Sequence, residues 1–88
     1  MEIRWTDYMH NRARMRGFAR AGVEQILRLT SERYFDTATR RQVAIGRLEH
    51  ELVMIPYDQV EETITPVTIH ATTRQHITAR LRAGRCIL

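Results

Sequence analysis

Leu52-Val53-Met54-Ile55-Pro56-Tyr57, in the middle of the 88-residue chain, is the stretch on which the fold turns. It is short, apolar and bounded by the polar segments Glu49-His50-Glu51 and Asp58 to Thr63, which reads as a strand between turns. Upstream, Arg33-Tyr34-Phe35 and Gln42-Val43-Ala44-Ile45-Gly46 flank Asp36-Thr37-Ala38-Thr39, a strand, a turn and its return. Downstream, Ile64 to His70 is rich in β-branched residues and predicts a fourth strand. Consecutive strands with short polar turns predict an antiparallel meander. Pro56 and Pro66 each lack an amide donor and are expected at edges, bulges or strand ends.

The flanks have the other periodicity. Trp5, Tyr8, Met9, Arg12, Met15 and Arg16 recur at helical spacing, with Thr6 or Asp7 to cap the start and Gly17 to end the helix. Val23, Ile26 and Leu27 predict a second helix over residues 19 to 31. Thr72-Thr73-Arg74-Gln75 matches a capping box opening a helix that runs to Ala83, with Ile77 and Leu81 as its apolar stripe and Gly84 as its stop. The expected fold class is α+β: two N-terminal helices, a four-stranded antiparallel sheet and a C-terminal helix, with the helices on one face, in a single domain over residues 1 to 88.

Charge narrows function. All fourteen basic residues are Arg and none is Lys, and ten acids leave a net charge of +4. An arginine-biased genome accounts for such a composition, as does selection for phosphate, onto which guanidinium forks. Residues 8 to 23 carry Arg12, Arg14, Arg16 and Arg20, and residues 63 to 88 carry His70, Arg74, His76, Arg80, Arg82 and Arg85, without a single acid in either stretch until Glu24. Such segments favour nucleic acid or an acidic protein as partner. The longest apolar run is far short of the ~20 residues that span a bilayer, so no membrane partner is expected. No secretory signal is apparent at Met1 to Trp5, and Cys86 is the only cysteine, so the expected compartment is the cytoplasm. There is no Gly-rich phosphate loop, HExxH, paired CxxC or GxSxG elbow, and the four histidines lack metal-ligand spacing; neither a cofactor nor a metal is expected.

His70 ends the last strand just before a capped helix, a position from which an imidazole can exchange a proton near neutral pH or simply hydrogen-bond the following loop. Arg12 and Arg16 lie one turn apart on the stripe that holds Trp5 and Tyr8, so they point toward protein. Their partner is a phosphate, a carboxylate such as Glu24, or the C-terminal carboxylate. Tyr34 and Tyr57 read as strand packing residues.

Tyr8 through Gly17, the Arg33-Tyr34-Phe35-Asp36 hairpin and Val67-Thr68-Ile69-His70 followed by Arg74, Arg80, Gly84 and Arg85 resemble small bacterial proteins of unknown function. These in turn resemble the RelE/ParE-like and BrnT-like toxin group. The resemblance spans nearly the whole chain through short Arg- and Gly-dominated motifs. It implies a RelE-like toxin domain of a toxin-antitoxin pair, a metal-independent endoribonuclease sequestered by a small acidic antitoxin-like protein. In such enzymes the RNA 2′-hydroxyl attacks the adjacent phosphorus. Carried across, His70 becomes the acid/base, Arg74 and Arg12 stabilise the phosphate, Arg16, Arg80 and Arg85 bind the backbone, and Tyr8, standing where many relatives have a His, joins the catalytic set as a proton donor. Ala71 stands in place of a common Pro, and Cys86 in place of a common aromatic residue. Two other functions fit the same arginines: a non-catalytic module for nucleic acid or an acidic protein, and a ParE-like protein-targeting inhibitor. An exposed strand edge would also permit a homodimer.

Overall fold

The computed structural model describes residues 1 to 88 and centres on strand β4 (Glu51–Val60), which contains the apolar stretch. Before it come β1 (Glu2–Ile3), helices α1 (Asp7–Met15) and α2 (Arg20–Leu29), and strands β2 (Arg33–Asp36) and β3 (Arg41–Leu48). After it come β5 (Thr63–Pro66), β6 (His70–Ala71), α3 (Arg74–Arg82) and β7 (Cys86–Ile87). The strands form one mixed seven-stranded sheet in the order β1-β5-β4-β3-β2-β7, with β6 paired to β4. β2 to β5 pair antiparallel in sequence order, but the expectation of a four-stranded antiparallel sheet is corrected: β1 adds parallel to β5, β7 antiparallel to β2 and β6 to β4, because these two-residue strands are recruited by partners distant in sequence.

Side chains alternate across the sheet, and the alternation sorts the core into two layers. Val53, Ile55 and Tyr57 of β4 face α1 and α2, packing with Met9, Ala13, Val23, Ile26 and Leu27 in a cluster of twelve buried residues. Leu52 and Met54 face the other way, into a cluster of five with Val43, Ile45 and Ile77 of α3. The helices therefore sandwich the sheet. The expectation that all three would share one face is corrected by this register, which sends adjacent residues of the central strand into different cores. On the α2 side the layers touch closely: a Cβ on Gly46 would lie 2.7 Å from Ile26, so a bare backbone is required there.

α3 is thinly anchored. Ile77 is its one buried residue, worth about 1.5–3 kcal/mol, and a nine-residue helix is marginal alone. Ion pairs from its two ends to β2 and to the loop before it complete the attachment, as described below. The capping box is also corrected: Thr73, not Thr72, caps α3 by accepting from the His76 amide at 3.1 Å, which places His76 rather than Gln75 at the third helical position. Thr6 caps α1 and accepts from the Met9 amide. Gly17 and Gly84 follow α1 and α3 with φ of +75° and +74°, the left-handed geometry that ends a helix.

The fourth strand is not continuous. β5 pairs with Tyr57 to Val60 and β6 with Val53 and Met54, leaving Pro56 opposite the interruption. The Val67 amide still bonds the Pro56 carbonyl at 2.8 Å, but Pro56 can return no donor. That missing donor breaks the ladder where residues 67 to 69 cross it. Pro56 thus lies inside the central strand, and Pro66 ends β5 as expected. The Asp58 to Thr63 segment, expected as a polar connection, mostly extends β4; only Glu61-Glu62 turns, with Glu61 at φ +55°.

Candidate functional site at the β6 edge

The break at Pro56 leaves β6 as a short outer strand beside β4. His70 pairs with Met54, so both side chains lie on the α3 face, while Ile69 is fully buried on the other. The Thr72 amide bonds the Leu52 carbonyl, and backbone direction alternates along a strand. Ile69 accordingly turns its carbonyl to the outer edge. Arg12, reaching from α1, donates its Nε to that carbonyl at 3.2 Å. This fixes the guanidinium next to His70 while using one of its five N–H donors.

His70 is half-buried, and burial pushes its imidazole below its ordinary pKa. The guanidinium charges of Arg80, Arg12 and Arg16 push it further in the same direction, with a last contribution from His76. Arg12 and Arg16 come from the α1 layer, and Arg80 and His76 from α3. The first and last helices thus lie on opposite faces of the sheet but converge where its edge is exposed. A neutral imidazole can accept a proton from a hydroxyl, and the guanidinium groups around it can stabilise the anion that results.

The other anticipated residues divide by what already holds them. Arg16 is exposed and makes no hydrogen bond or ion pair with a side chain. Tyr8 is 61% exposed, with an unbonded hydroxyl. Arg80 lies 3.9 Å from the Asp36 carboxylate and 3.7 Å from the Met54 sulfur. Arg74 and Arg85, assigned to phosphate, are instead held by carboxylates. Arg74 grips both oxygens of Glu32 at 2.6 and 2.8 Å, and Arg85 reaches both oxygens of Asp36 at 3.3 and 3.4 Å. The Arg74 hydrogen bonds lead in holding Glu32 below the usual carboxylate range. Glu24 is not the partner of Arg12 or Arg16; it accepts from Trp5 Nε1 at 2.7 Å and from Arg20 Nε at 3.1 Å.

Sequence reasoning missed the acids that organise the basic segments. Asp36 is 3% exposed and accepts from the amides of Ala38 and Thr39 as well as from Arg85. Burial opposes its ionisation, yet these hydrogen bonds and the Arg85 charge lower its pKa overall. A turn-starting Asp signals the amide bonds, but nothing local announces an arginine forty-nine positions away. Arg33, in sequence only one residue of a strand, has a second role. It donates to the carbonyls of Leu27 and Thr30 and to the Tyr57 hydroxyl, satisfying the end of α2 without a carboxylate.

A cavity of about 920 Å³ lies between α2 and the β3–β4 turn, over Phe18, Ile26 and Leu48. Arg16 and Arg47 line it, but so do Glu49 and Glu51, which oppose an anion, and His70 does not reach it. A smaller hollow of about 260 Å³ on α1 is lined by Tyr8, Asn11, Arg12, Met15 and Arg16. No three His, Cys, Asp or Glu side chains gather as a metal-ligand set. No helix is long and apolar enough to cross a membrane. Comparison with protein-family models, curated proteins and solved structures gave no match to this chain.

Proposed function

We propose that this protein is a cytoplasmic RNA-binding domain of the toxin type that cleaves its substrate by metal-independent transesterification at His70. The observation that carries the reading is the anchoring of Arg12 on the Ile69 carbonyl, beside a half-buried His70 toward which Arg16, Arg80 and His76 also direct charge. Neutral His70 removes the proton from a ribose 2′-hydroxyl. The oxygen then attacks the adjacent phosphorus, the bond to the 5′-oxygen breaks, and a 2′,3′-cyclic phosphate forms. Arg12, Arg16 and Arg80 stabilise the charge gathering on the non-bridging oxygens. The departing 5′-oxygen takes a proton from solvent or from the exposed His76.

A small acidic protein is the fitting counterpart, because neutralising the β6 edge would block the same guanidinium groups. Purified protein should generate cyclic-phosphate ends on single-stranded RNA, and His70→Ala should slow this by about 10²–10⁴-fold. Intact RNA after prolonged incubation with the wild type, or equal cleavage by His70→Ala, would overturn the catalytic reading. The engagement of Arg74 by Glu32 and of Arg85 by Asp36 favours a second reading, a module that binds RNA without cutting it. Salt-sensitive binding without product identifies that case.

A further inference from the structure

We infer that the hollow on α1 is a nucleobase seat, in which Tyr8 and Met15 hold the base of a nucleotide whose phosphate rests on Arg12 and Arg16. The inference rests on the RNA-binding reading and assigns Tyr8 a binding role in place of acid/base chemistry.

Tyr8, Asn11, Arg12, Met15 and Arg16 occupy the three- and four-residue spacings of one helical face, so their side chains adjoin. Tyr8 and Met15 are 61% and 78% exposed, although the same helix buries Met9 completely. Neither belongs to either core cluster. An aromatic ring and a polarisable thioether are thus left in water on a helix that has a separate apolar face for packing. The hollow of about 260 Å³ has room for one base, and every base presents a π-face on which an exposed tyrosine can stack.

The rim selects the occupant. Arg12 and Arg16 border the hollow and also lie within electrostatic reach of His70. No carboxylate borders it. A base on Tyr8 therefore has its own backbone phosphate led toward the arginines and the next scissile bond toward β6. Asn11 adds a polar edge, its amide oxygen engaged by Arg14 at 2.9 Å and its amide nitrogen free to donate. Stacking without a fixed set of hydrogen bonds implies a seat tolerant of base identity.

The test measures the affinity of the wild-type chain for a fluorescent single-stranded RNA and for an abasic oligonucleotide of equal length and charge. Stacking lost on truncation should weaken RNA binding by Tyr8→Ala about 5- to 150-fold, with the abasic strand unaffected. Tyr8→Phe should bind both strands as the wild type does, and Met15→Ala should show a smaller loss confined to RNA. Equal weakening of both strands, or no weakening, would overturn the base seat while leaving phosphate binding intact. Tyr8-dependent binding of polyglutamate in preference to RNA would overturn it in favour of an acidic protein. Failure of the wild type to bind either strand would remove the RNA reading along with it.

Discussion

Asp36 ties the chain beyond α3 back to β2, and its replacement tests how Arg80 is brought near His70. In Asp36→Ala two amides, on Ala38 and Thr39, lose an acceptor, and Arg80 and Arg85 lose their carboxylate. Each amide bond contributes about 0.5–1.5 kcal/mol net. The arginine contacts are longer than ideal, and the Arg85 side chain is 42% exposed, so solvent screening reduces their sum to about 1 kcal/mol. The total, about 3 kcal/mol, is a large part of the roughly 4–13 kcal/mol expected for a chain this size. Thermal unfolding should move down by roughly 12–24 °C. Asp36→Asn keeps an oxygen for the two amides and should lose only about 1 kcal/mol, or roughly 4–8 °C. The Asp36 pKa is lower in the folded state, so its contribution is present above the unfolded value of about 3.9 and fades as pH falls through the folded value. The gap between wild type and Asp36→Asn should therefore close in acid. Calorimetry at several pH values reads all of this; a loss below 1 kcal/mol for Asp36→Ala, or a gap that widens toward acid, would refute the assignment.

Further outcomes follow from the packing and the charges. Gly46→Ala places a Cβ against Ile26 and should cost about 1–3 kcal/mol by urea unfolding, partly restored by Ile26→Val. His70 has the opposite pH sign from a paired histidine: its folded pKa is depressed, so protonation below about 6.5 favours unfolding. His70→Gln should flatten the rise in stability as pH increases through that region, measured by denaturant midpoints. Arg16→Ala should weaken single-stranded RNA binding and lower the log-log salt slope by about 0.7, the share of one phosphate. Arg74→Ala, whose guanidinium is already engaged by Glu32, should leave that slope unchanged in the same titration.

The run of β2 to β5, the three helices and the glycine stops of α1 and α3 were legible because each depends on local pattern. β1 and β7 were not, since two-residue strands carry no periodicity and exist only through partners distant in sequence. The placement of α3 on its own face was illegible for a related reason: Ile77 is apolar in any arrangement, and only the register of β4 shows which core it enters. The turn of Arg12 toward protein and the place of His70 at a strand end were legible, but the helical stripe misplaces Arg16 and Tyr8: both are exposed, because α1 buries Met9 and Ala13 instead. The capture of Arg74 and Arg85 by Glu32 and Asp36 was hidden, because the acids that neutralise the basic C-terminal segment lie more than forty residues away. Pro56 was the strongest clue left unused. Its missing donor interrupts the strand that resumes at His70, and the edge there is open because β1 pairs with β5 alone.

Guanidinium groups from two opposed layers approach His70, Arg12 through the Ile69 carbonyl and Arg80 through the Met54 sulfur. Side-chain NMR of the His70 ring, titrated with pH in the presence and absence of a short uncleavable RNA analogue, measures this directly. With the analogue bound, phosphate charge should offset the nearby arginines and raise the depressed His70 pKa toward its ordinary value. A His70 titration that is unchanged while resonances elsewhere report binding would contradict the convergence.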